Sequence, residues 1–527
     1  MVQLYVLLLA ATTTSFTLQP QRTYCKPTSR LQSSPHDCLV IGSGVTGSCL
    51  AFHLSKTNPN TLLFEKNSVT GGNVISKSTE AGFVWDEGPN SFQPTPAIAQ
   101  TVHELSISSE LVLANGSLPR FVYWEGLGSA SRLANLHALP TNLPGDLFSF
   151  GLLTWPGRIR AALGAVGFIA PSPSLPTEES VREFVTRHLG EETFERIIDP
   201  FVSGVYAGDP DYLAMRSALK KIHRLEGLGD FGPGLVSGAI NRFKEIEKEK
   251  SDNPADPAWP TYKGGELGSF RKGLQTLPTA VEKHLGADRV KLDHELVGIE
   301  KGEDGIFKAT FKTGGTTTTY HSKSIVLTSP PIPTSKIVPK SLIPSASLLE
   351  NVYSPPVASV TLAMKKEYFK ELPGGTPDKP LAGFGHLLPR RMGIRSLGCI
   401  WSSSLFPNRA PDGYEVLLTY IGGARDKGLA DMSEEEIVSI VQEDVRKVML
   451  KSDSPQNAGE LLGIRVWGRA IPQYGRGHEE LLGKIAEEEK RVEGLYLGGN
   501  YRTGVAFGDC VKYGLEQAGV IGQFLNR

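Results

Sequence analysis

At 527 residues the chain is longer than one compact core supports, so two or three domains are expected. Its 55 basic and 56 acidic residues leave a net charge of −1, which excludes a broad field recruiting nucleic acid, and no Lys/Arg cluster with interleaved aromatics replaces one. The five cysteines (Cys25, Cys38, Cys49, Cys399, Cys510) are odd in number and hold no CxxC pair, so reduced thiols fit better than a disulfide framework or a zinc site.

Val2 to Ala11 is an apolar run too short to span a bilayer, and Thr12-Thr-Thr-Ser-Phe16 follows it. From there to Pro35 the chain is rich in Ser and Thr, carries Arg22, Lys26 and Arg30, and has no acid before Asp37. A signal-like part ahead of a transit-like part is similar to the two-step presequences of plastids of secondary origin, so residues 1–35 are expected to be a targeting presequence. Secretion and a mitochondrial leader are the alternatives, and the basic, acid-free second part argues against secretion.

Cys38-Leu-Val-Ile41 then reads as a strand running straight into Gly42-Ser43-Gly44-Val45-Thr46-Gly47, the strand-to-helix spacing of a dinucleotide site. Gly42 permits the tight turn, Gly44 lets backbone approach a pyrophosphate, and Gly47 lets the helix pack on the strand. Leu50, Ala51 and Leu54 recur at helical spacing and predict a helix from Val45 to Lys56, whose N-terminus favours an anion; Asn58-Pro-Asn60 breaks it. A second strand, Thr61 to Phe64, ends at Glu65, an acid able to accept both ribose hydroxyls of an adenosine. After Lys66 come the glycine pair of Gly71-Gly72-Asn73 and the segment Gly82 to Asn90. This pattern resembles the second signature of FAD-containing amine-oxidase-like flavoproteins, with the glycine pair against the phosphate and ribitol region and the Asp86 to Ser91 turn wrapping the flavin. A plain surface hairpin is the alternative.

No internal repeat is visible, and no later apolar run reaches the roughly 18 residues of a spanning helix. Leu133 to Pro173 gathers Leu147, Phe148, Phe150, Leu152, Leu153, Trp155, Ala161, Leu163, Val166, Phe168 and Ile169 among prolines, glycines, Arg158 and Arg160. Such a region suits a membrane surface or a buried helical cover over an apolar substrate. Glu178 to Leu189 is expected as an amphipathic helix capped by Thr177, Asp199 to Pro210 as a turn-rich loop admitting a ligand, and Glu245 to Lys250 as a solvated helix end. Near Gly264-Gly265 the chain returns to the first domain: Ser269 to Pro278 leads into a helix, and Val290 to Ile299, Phe307 to Phe311 and Ser324 to Ser329 read as strands. Val357 to Met364, Gly398 to Ser404 and Val416 to Ile421 suggest the antiparallel sheet of a substrate domain, and Glu434 to Leu450 a helix. Strand Gly494 to Leu497, loop Gly498 to Gly504 and a helix from Val505 to Leu525 close the nucleotide domain, offering N–H groups where charge develops on a reduced flavin.

More specific are Gly88-Pro-Asn-Ser-Phe-Gln93, Pro119-Arg-Phe-Val122, Asp199 to Pro210, Ser269-Phe-Arg-Lys-Gly-Leu274, Ser402 to Pro411, Ala470-Ile-Pro-Gln-Tyr474 and Gly498 to Ala506. Together, from Cys38 to the C-terminus, they resemble the protoporphyrinogen oxidase family, its plastid branch more than its mitochondrial one. The resemblance implies an α/β fold of p-hydroxybenzoate-hydroxylase type. Its discontinuous, Rossmann-like FAD-binding domain would take residues 37–110, 264–335 and 466–527, a helical membrane-binding and substrate-channel domain 111–226, and a mixed-sheet substrate-binding domain 227–263 and 336–465. It implies FAD held by Gly42 to Gly47, Glu65, Lys66, Gly72, Asn73, Gly88, Pro89, Asn90, Ser91, Asn500, Val505, Ala506 and Phe507, with Val297 near the adenine.

The resemblance further implies six-electron oxidation of protoporphyrinogen IX to protoporphyrin IX, with oxygen as acceptor and hydrogen peroxide as product, in haem and chlorophyll synthesis. The setting is a peripheral plastid membrane, and a homodimer is a candidate assembly. Arg120 corresponds to an arginine that pairs with a substrate propionate, a match for a planar guanidinium. Val357, Leu381 and Trp401 correspond to positions that sandwich the macrocycle, with Asn90, Gly204 and Ala207 nearby; Trp401 replaces the usual Phe or Tyr, and Arg502 puts an unusual charge in the C-terminal flavin loop. Hydride removal from a methylene bridge asks for alignment and a dry slot, so neither His386, His478 nor any carboxylate is assigned as a catalytic acid or base, and no metal site is readable. The competing readings are an amine oxidase or carotene desaturase, which would lack the Arg120 and Ser402 to Pro411 motifs, and a flavin- or porphyrin-binding carrier without turnover.

Overall fold

The computed structural model describes residues 34–127, 133–139, 151–169, 178–229 and 234–527. Residues 1–33 of the expected presequence, Leu147, Phe148, Phe150 and Thr177 lie outside the described residues. Being apolar at every position, Cys38–Ile41 suits a strand covered on both faces. Strand His36–Ile41 accordingly sits inside a seven-stranded sheet, paired in parallel with Thr61–Phe64 on one side and with the second half of Thr316–Leu327 on the other. Leu495–Leu497 adds a further parallel strand beside Thr316–Leu327, whose polar first half instead pairs antiparallel with Phe307–Thr313. Helices Val45–Ser55 and Phe507–Leu525 cover one face through Leu50, Leu54, Ala518 and Ile521, and their close approach depends on Gly514, where a Cβ would meet Cys49 Cβ at 2.8 Å.

Val290 to Ile299 is not one strand. Asp293 turns the chain at φ 56°, a conformation that aspartate tolerates, so Val290–Lys291 stays beside Thr61–Phe64 while Glu295–Lys301 pairs at the opposite edge.

The second seven-stranded sheet runs in the order Gly459–Trp467, Val357–Lys365, Tyr414–Gly422, Ser396–Trp401, Gly385–Leu387, Arg120–Tyr123, Leu136–Ala138. Every pairing is antiparallel except that of Gly385–Leu387 with Arg120–Tyr123. Helix Glu434–Met449 opens with a capping box, Ser433 with Glu436, and buries Ile437, Val441, Val445 and Val448 against Ala358, Val360, Leu362 and Leu417 of one sheet face. The strand expected to reach Ser404 ends at Trp401, because Ser402–Leu405 forms a short helix.

Helix Val181–Leu189 is capped by Ser180, whose hydroxyl accepts from Glu183 N while the Glu183 carboxylate accepts from Ser180 N; the cap expected at Thr177 therefore falls three residues too early. Asp199 to Pro210 is mostly helical rather than a loop: Pro200 at the first turn suits helix Asp199–Tyr206, which ends at Ala207 in the left-handed region, φ 48°. Glu245 to Lys250 lies within a longer helix, Leu235–Asp252. At the C-terminus, Asn500–Thr503 is a helical turn and the last helix begins at Phe507, two residues later than expected. Of the apolar Leu133 to Pro173 stretch, Leu152 and Leu153 are buried, whereas Trp155, Ile159 and Phe168 are exposed, Phe168 to 80%.

Candidate functional site

The glycine turn closes on itself as its spacing requires. Gly42 sits at φ 100° and donates its N–H to Phe64 O (2.7 Å), and an added Cβ at Gly47 would strike Gly42 O. The first intrahelical bond runs from Ser48 N to Gly44 O (2.9 Å), which leaves the N–H groups of Val45, Thr46 and Gly47 directed out of the helix start. An added Cβ at Gly44 meets nothing within 4 Å, and one at Gly72 would come within 3.1 Å of Gly44 Cα. Backbone thus lines a space at this helix start that a pyrophosphate fits.

Glu65 is buried, and its carboxylate accepts four hydrogen bonds: from Ser43 N and Oγ, both 2.9 Å, and from Asn67 N (3.0 Å) and Nδ2 (2.9 Å). These fill its lone pairs, but Ser43 Oγ and Asn67 Nδ2 can rotate away and be exchanged for two ribose hydroxyls. Lys66 is exposed beside it. His294 N donates to Glu65 O (2.8 Å), so the strand bearing Val297 starts at this acid, with Val297 at a bulge and 48% exposed.

The Asp86 to Ser91 turn is held from outside at successive positions. Glu87 O accepts from Ser359 Oγ and Trp467 Nε1 (3.2 Å), Gly88 O from Tyr420 OH (2.7 Å), and Asn90 O from Ser269 Oγ (3.2 Å). A Cβ on Gly88 would strike Asn73 O, which joins this turn to the glycine pair. Asn90 Nδ2 is buried without a partner among the described residues, an orphaned donor that a cofactor acceptor would satisfy. Pro89 is exposed and Ser91 half-buried. Beneath the turn Arg409, 2% exposed, donates to Ser269 Oγ (2.9 Å), Phe270 O (3.1 Å) and Arg271 O (3.2 Å), and lies 3.9 Å from the Asp86 carboxylate. Burial pushes the Asp86 carboxyl up and the Arg409 guanidinium down, each opposed by the other's charge.

Strand alternation decides what faces this turn. Ser359 and Tyr420 identify the facing side of the second sheet, and one cross-strand row on that side runs Thr361, Leu418, Ile400, Gly385, Arg120. The Arg120 guanidinium lies 5.2 Å from the centre of the Phe384 ring and has no hydrogen bond or ion pair among the described residues. Helix Asp199–Tyr206 covers the same side: a Cβ on Gly204 would strike Leu387, and Ala207 packs with Val357 and Leu397. Arg425 pins this helix through Asp199 (2.6 Å), and Ala424 N donates to Ala207 O (2.8 Å). Arg120, Gly204, Ala207 and Val357 therefore share one slot wall.

Two expected wall residues do not. Trp401, fully buried, points to the other side of the sheet, where it packs against Phe121 (ring centres 5.5 Å apart) and donates from Nε1 to His386 Nδ1 (3.3 Å). Leu381 lies in the same core, with the helix Glu434–Met449. Ile400 and Phe384 occupy the slot side instead; alternation along the strand could have found Ile400, had the bulge between Ser396 and Gly398 been visible. Burial holds His386 neutral, its pKa lowered to about 3.

In the C-terminal loop, Arg502 meets a carboxylate, Nη1 and Nη2 each 2.7 Å from Glu489, while Glu489 Oε1 also accepts from Leu497 N (2.6 Å). Tyr474 OH donates to Asn500 O, and His478 Nε2 donates to Tyr501 O (2.7 Å). Val505 is half-buried and Ala506 exposed at the helix start, and Phe507 stacks on Phe92 at 5.1 Å.

A family model described as flavin containing amine oxidoreductase matches residues 45–522. The chain is 40% identical over 509 residues to a chloroplastic protoporphyrinogen oxidase of Nicotiana tabacum, covering 96% of this chain and 89% of that one. It is 42% identical over 499 residues to protoporphyrinogen oxidase 1, chloroplastic, of Arabidopsis thaliana, covering 93% and 89%. The solved structure of cyclohexylamine oxidase from Brevibacterium oxydans IH-35A shares the fold, with a TM-score of 0.60 at 15% identity over 94% of this chain and 100% of that one.

Proposed function

The chain belongs to the flavin containing amine oxidoreductases and, within them, to the protoporphyrinogen oxidases, and on that premise we propose that it oxidises protoporphyrinogen IX to protoporphyrin IX. Its cofactor is FAD and its compartment the plastid. The reaction removes six electrons and six hydrogens, and three oxygen molecules leave as three hydrogen peroxides, in the route to haem and chlorophyll.

Bound FAD supplies the two-electron acceptor that a carbon–hydrogen bond of a methylene bridge requires. The chain's own residues bind, orient and exclude water. The helix start after Gly44 receives the pyrophosphate, Glu65 the ribose, and the turn from Gly88 to Ser91 with the loop from Asn500 to Phe507 borders the flavin. Arg120 carries the reading, because a half-buried guanidinium with no partner among the described residues, on the wall opposite the flavin turn, suits a substrate propionate. Ala207, Val357, Ile400 and Phe384 give that propionate's macrocycle apolar walls. Pyrrole nitrogens can release the proton, so no side chain serves as base.

The division into FAD-binding, substrate-binding and helical parts, the presequence, a homodimer and association with a membrane surface complete the proposal. Membrane association is supported by the exposed Trp155, Ile159, Val166 and Phe168, and by Val236, Ile240 and Phe243 on one face of helix Leu235–Asp252. Among the described residues no helix is long and apolar enough to cross a membrane. Purified protein given protoporphyrinogen IX in air should develop porphyrin fluorescence only when FAD is present; a yellow protein that forms no porphyrin above the FAD-free control would overturn the assignment.

A further inference from the structure

The carbonyls of the Asp86 to Ser91 turn are held by side chains from four strands. Ser359 and Tyr420 come from neighbouring strands of the second sheet, Trp467 ends its edge strand, and Ser269 belongs to the strand Leu267–Phe270 and is itself held by Arg409. A trans peptide plane directs its C=O and the following N–H in opposite directions. Gripping Glu87 O therefore aims the Gly88 N–H away from the second sheet, and gripping Asn90 O aims the Ser91 N–H away from Ser269. Pro89 has no N–H to offer. Neither the Gly88 nor the Ser91 N–H meets an acceptor among the described residues, although Gly88 is buried. The buried Asn90 Nδ2, also without an acceptor, adds a third donor to the same short turn. Donors left buried without acceptors, as at Gly88 and Asn90, are costly unless something accepts from them.

We propose that Tyr420, Ser359 and Trp467 are positioning residues that hold this turn as a hydrogen-bond donor array against the electron-rich edge of the flavin, and that the substrate-side sheet thereby sets the flavin's reduction potential. Ser359 and Trp467 aim the Gly88 N–H directly through Glu87 O, while Tyr420, whose hydroxyl makes a 2.7 Å bond to Gly88 O and whose body lines the slot beside Ala207 and Val357, fixes the following Gly88–Pro89 plane and so the path of the turn. Donors aimed at flavin acceptor atoms favour the state with more electron density on them, the reduced one. This inference rests on the FAD reading alone and holds whether or not the substrate assignment does.

The test is the two-electron midpoint potential of the FAD-loaded protein, measured without substrate by equilibration with a reference dye, alongside the flavin absorption spectrum. Tyr420→Phe keeps the ring and removes the hydroxyl; Ser359→Ala does the same for the neighbouring grip and disturbs less volume. Each single variant should move the equilibrium toward oxidised flavin, and the double variant by roughly tenfold, which is about 30 mV for a two-electron couple. The visible bands should shift with it, while the melting temperature of the FAD-free protein stays within a degree or so of the parent. A double variant whose potential and spectrum match the parent's, or whose potential rises, overturns the proposal. If Tyr420→Phe fails to load FAD, Ser359→Ala carries the same decision alone.

Discussion

Replacing Arg409 by methionine removes the charge beneath the Asp86 to Ser91 turn while keeping much of the side chain's bulk. The guanidinium donates three hydrogen bonds, to Ser269 Oγ, Phe270 O and Arg271 O, and stands 3.9 Å from Asp86; both side chains are 2% exposed. In Arg409→Met the Asp86 carboxylate stays buried with only Ser76 Oγ (2.5 Å) and Leu274 N (2.9 Å) to stabilise it. Breaking a buried pair from one side costs about 3–5 kcal/mol, because the remaining charge has nowhere to go. An unfolding entropy of about 2.1 cal/mol/K per residue over roughly 490 residues comes to about 1 kcal/mol/K, so the melting temperature should fall by about 3–5 °C. Differential scanning calorimetry of FAD-free protein measures this directly. The second variant, Asp86→Asn with Arg409→Met, removes both charges and should melt above the sum of the two single losses. Flavin should also leave Arg409→Met faster, since Ser269 loses the group that orients its hydroxyl toward Asn90 O. A fall of less than about 1 °C, or strict additivity in the double variant, would refute the view that this buried pair braces the turn after Asp86.

Arg120→Ala should raise KM for protoporphyrinogen by about 10- to 100-fold, the worth of one charged hydrogen bond, while kcat falls less; identical kinetics would remove Arg120 from the slot. Glu65→Ala should weaken FAD binding by a similar factor, read as flavin retained through gel filtration, and full retention would count against the ribose contact. Trp401→Ala should cost about 3–5 kcal/mol of stability with KM unchanged, whereas a raised KM at parental stability would return the indole to the slot wall. His386, with its folded pKa lowered to about 3 against 6.5 unfolded, binds fewer protons folded than unfolded, so its contribution is full above pH 6.5 and is lost as pH falls toward 3. Between pH 7 and 5 that amounts to about 2 kcal/mol, and His386→Leu should show that much less acid destabilisation in urea titrations at the two pH values.

The nucleotide end of the molecule was legible because its signals are local. A strand, three glycines and an acid are read within thirty residues; Gly42 and Gly47 meet the close contacts that exclude a side chain, and Gly44 leaves the open space at the helix start. What escaped was set by tertiary context. Asp199 to Pro210 carries two prolines and two glycines, yet packing of Gly204 on Leu387 and the Asp199–Arg425 pair hold most of it as a helix. Val290 to Ile299 has the composition of a single strand, and only the left-handed turn at Asp293 sends its halves to opposite sides of the sheet. A charge at Arg502 inside a cofactor loop invites a phosphate, but its partner Glu489 lies on a separate helix, where no local pattern announces it.

Trp401 shows why a resemblance in motif does not settle which way a side chain points. In a strand, adjacent residues face opposite sides, so an error of one position exchanges a slot wall for a core residue. The pairing shifts by one residue between Ser396 and Gly398, and from there Gly398 and Ile400 fall on the side of Tyr420, while Cys399 and Trp401 fall on the side of the helix Glu434–Met449. The larger ring then has room where it lies, against Phe121 and within reach of His386, and its size need not narrow the slot at all. On the slot side the row Ile400, Gly385, Arg120 sets an aliphatic side chain, a bare backbone and a cation side by side across three strands. That order suits a flat apolar ring with one acidic edge, so the side chains to vary in changing substrate fit are Ile400 and Phe384, with the indole left in place.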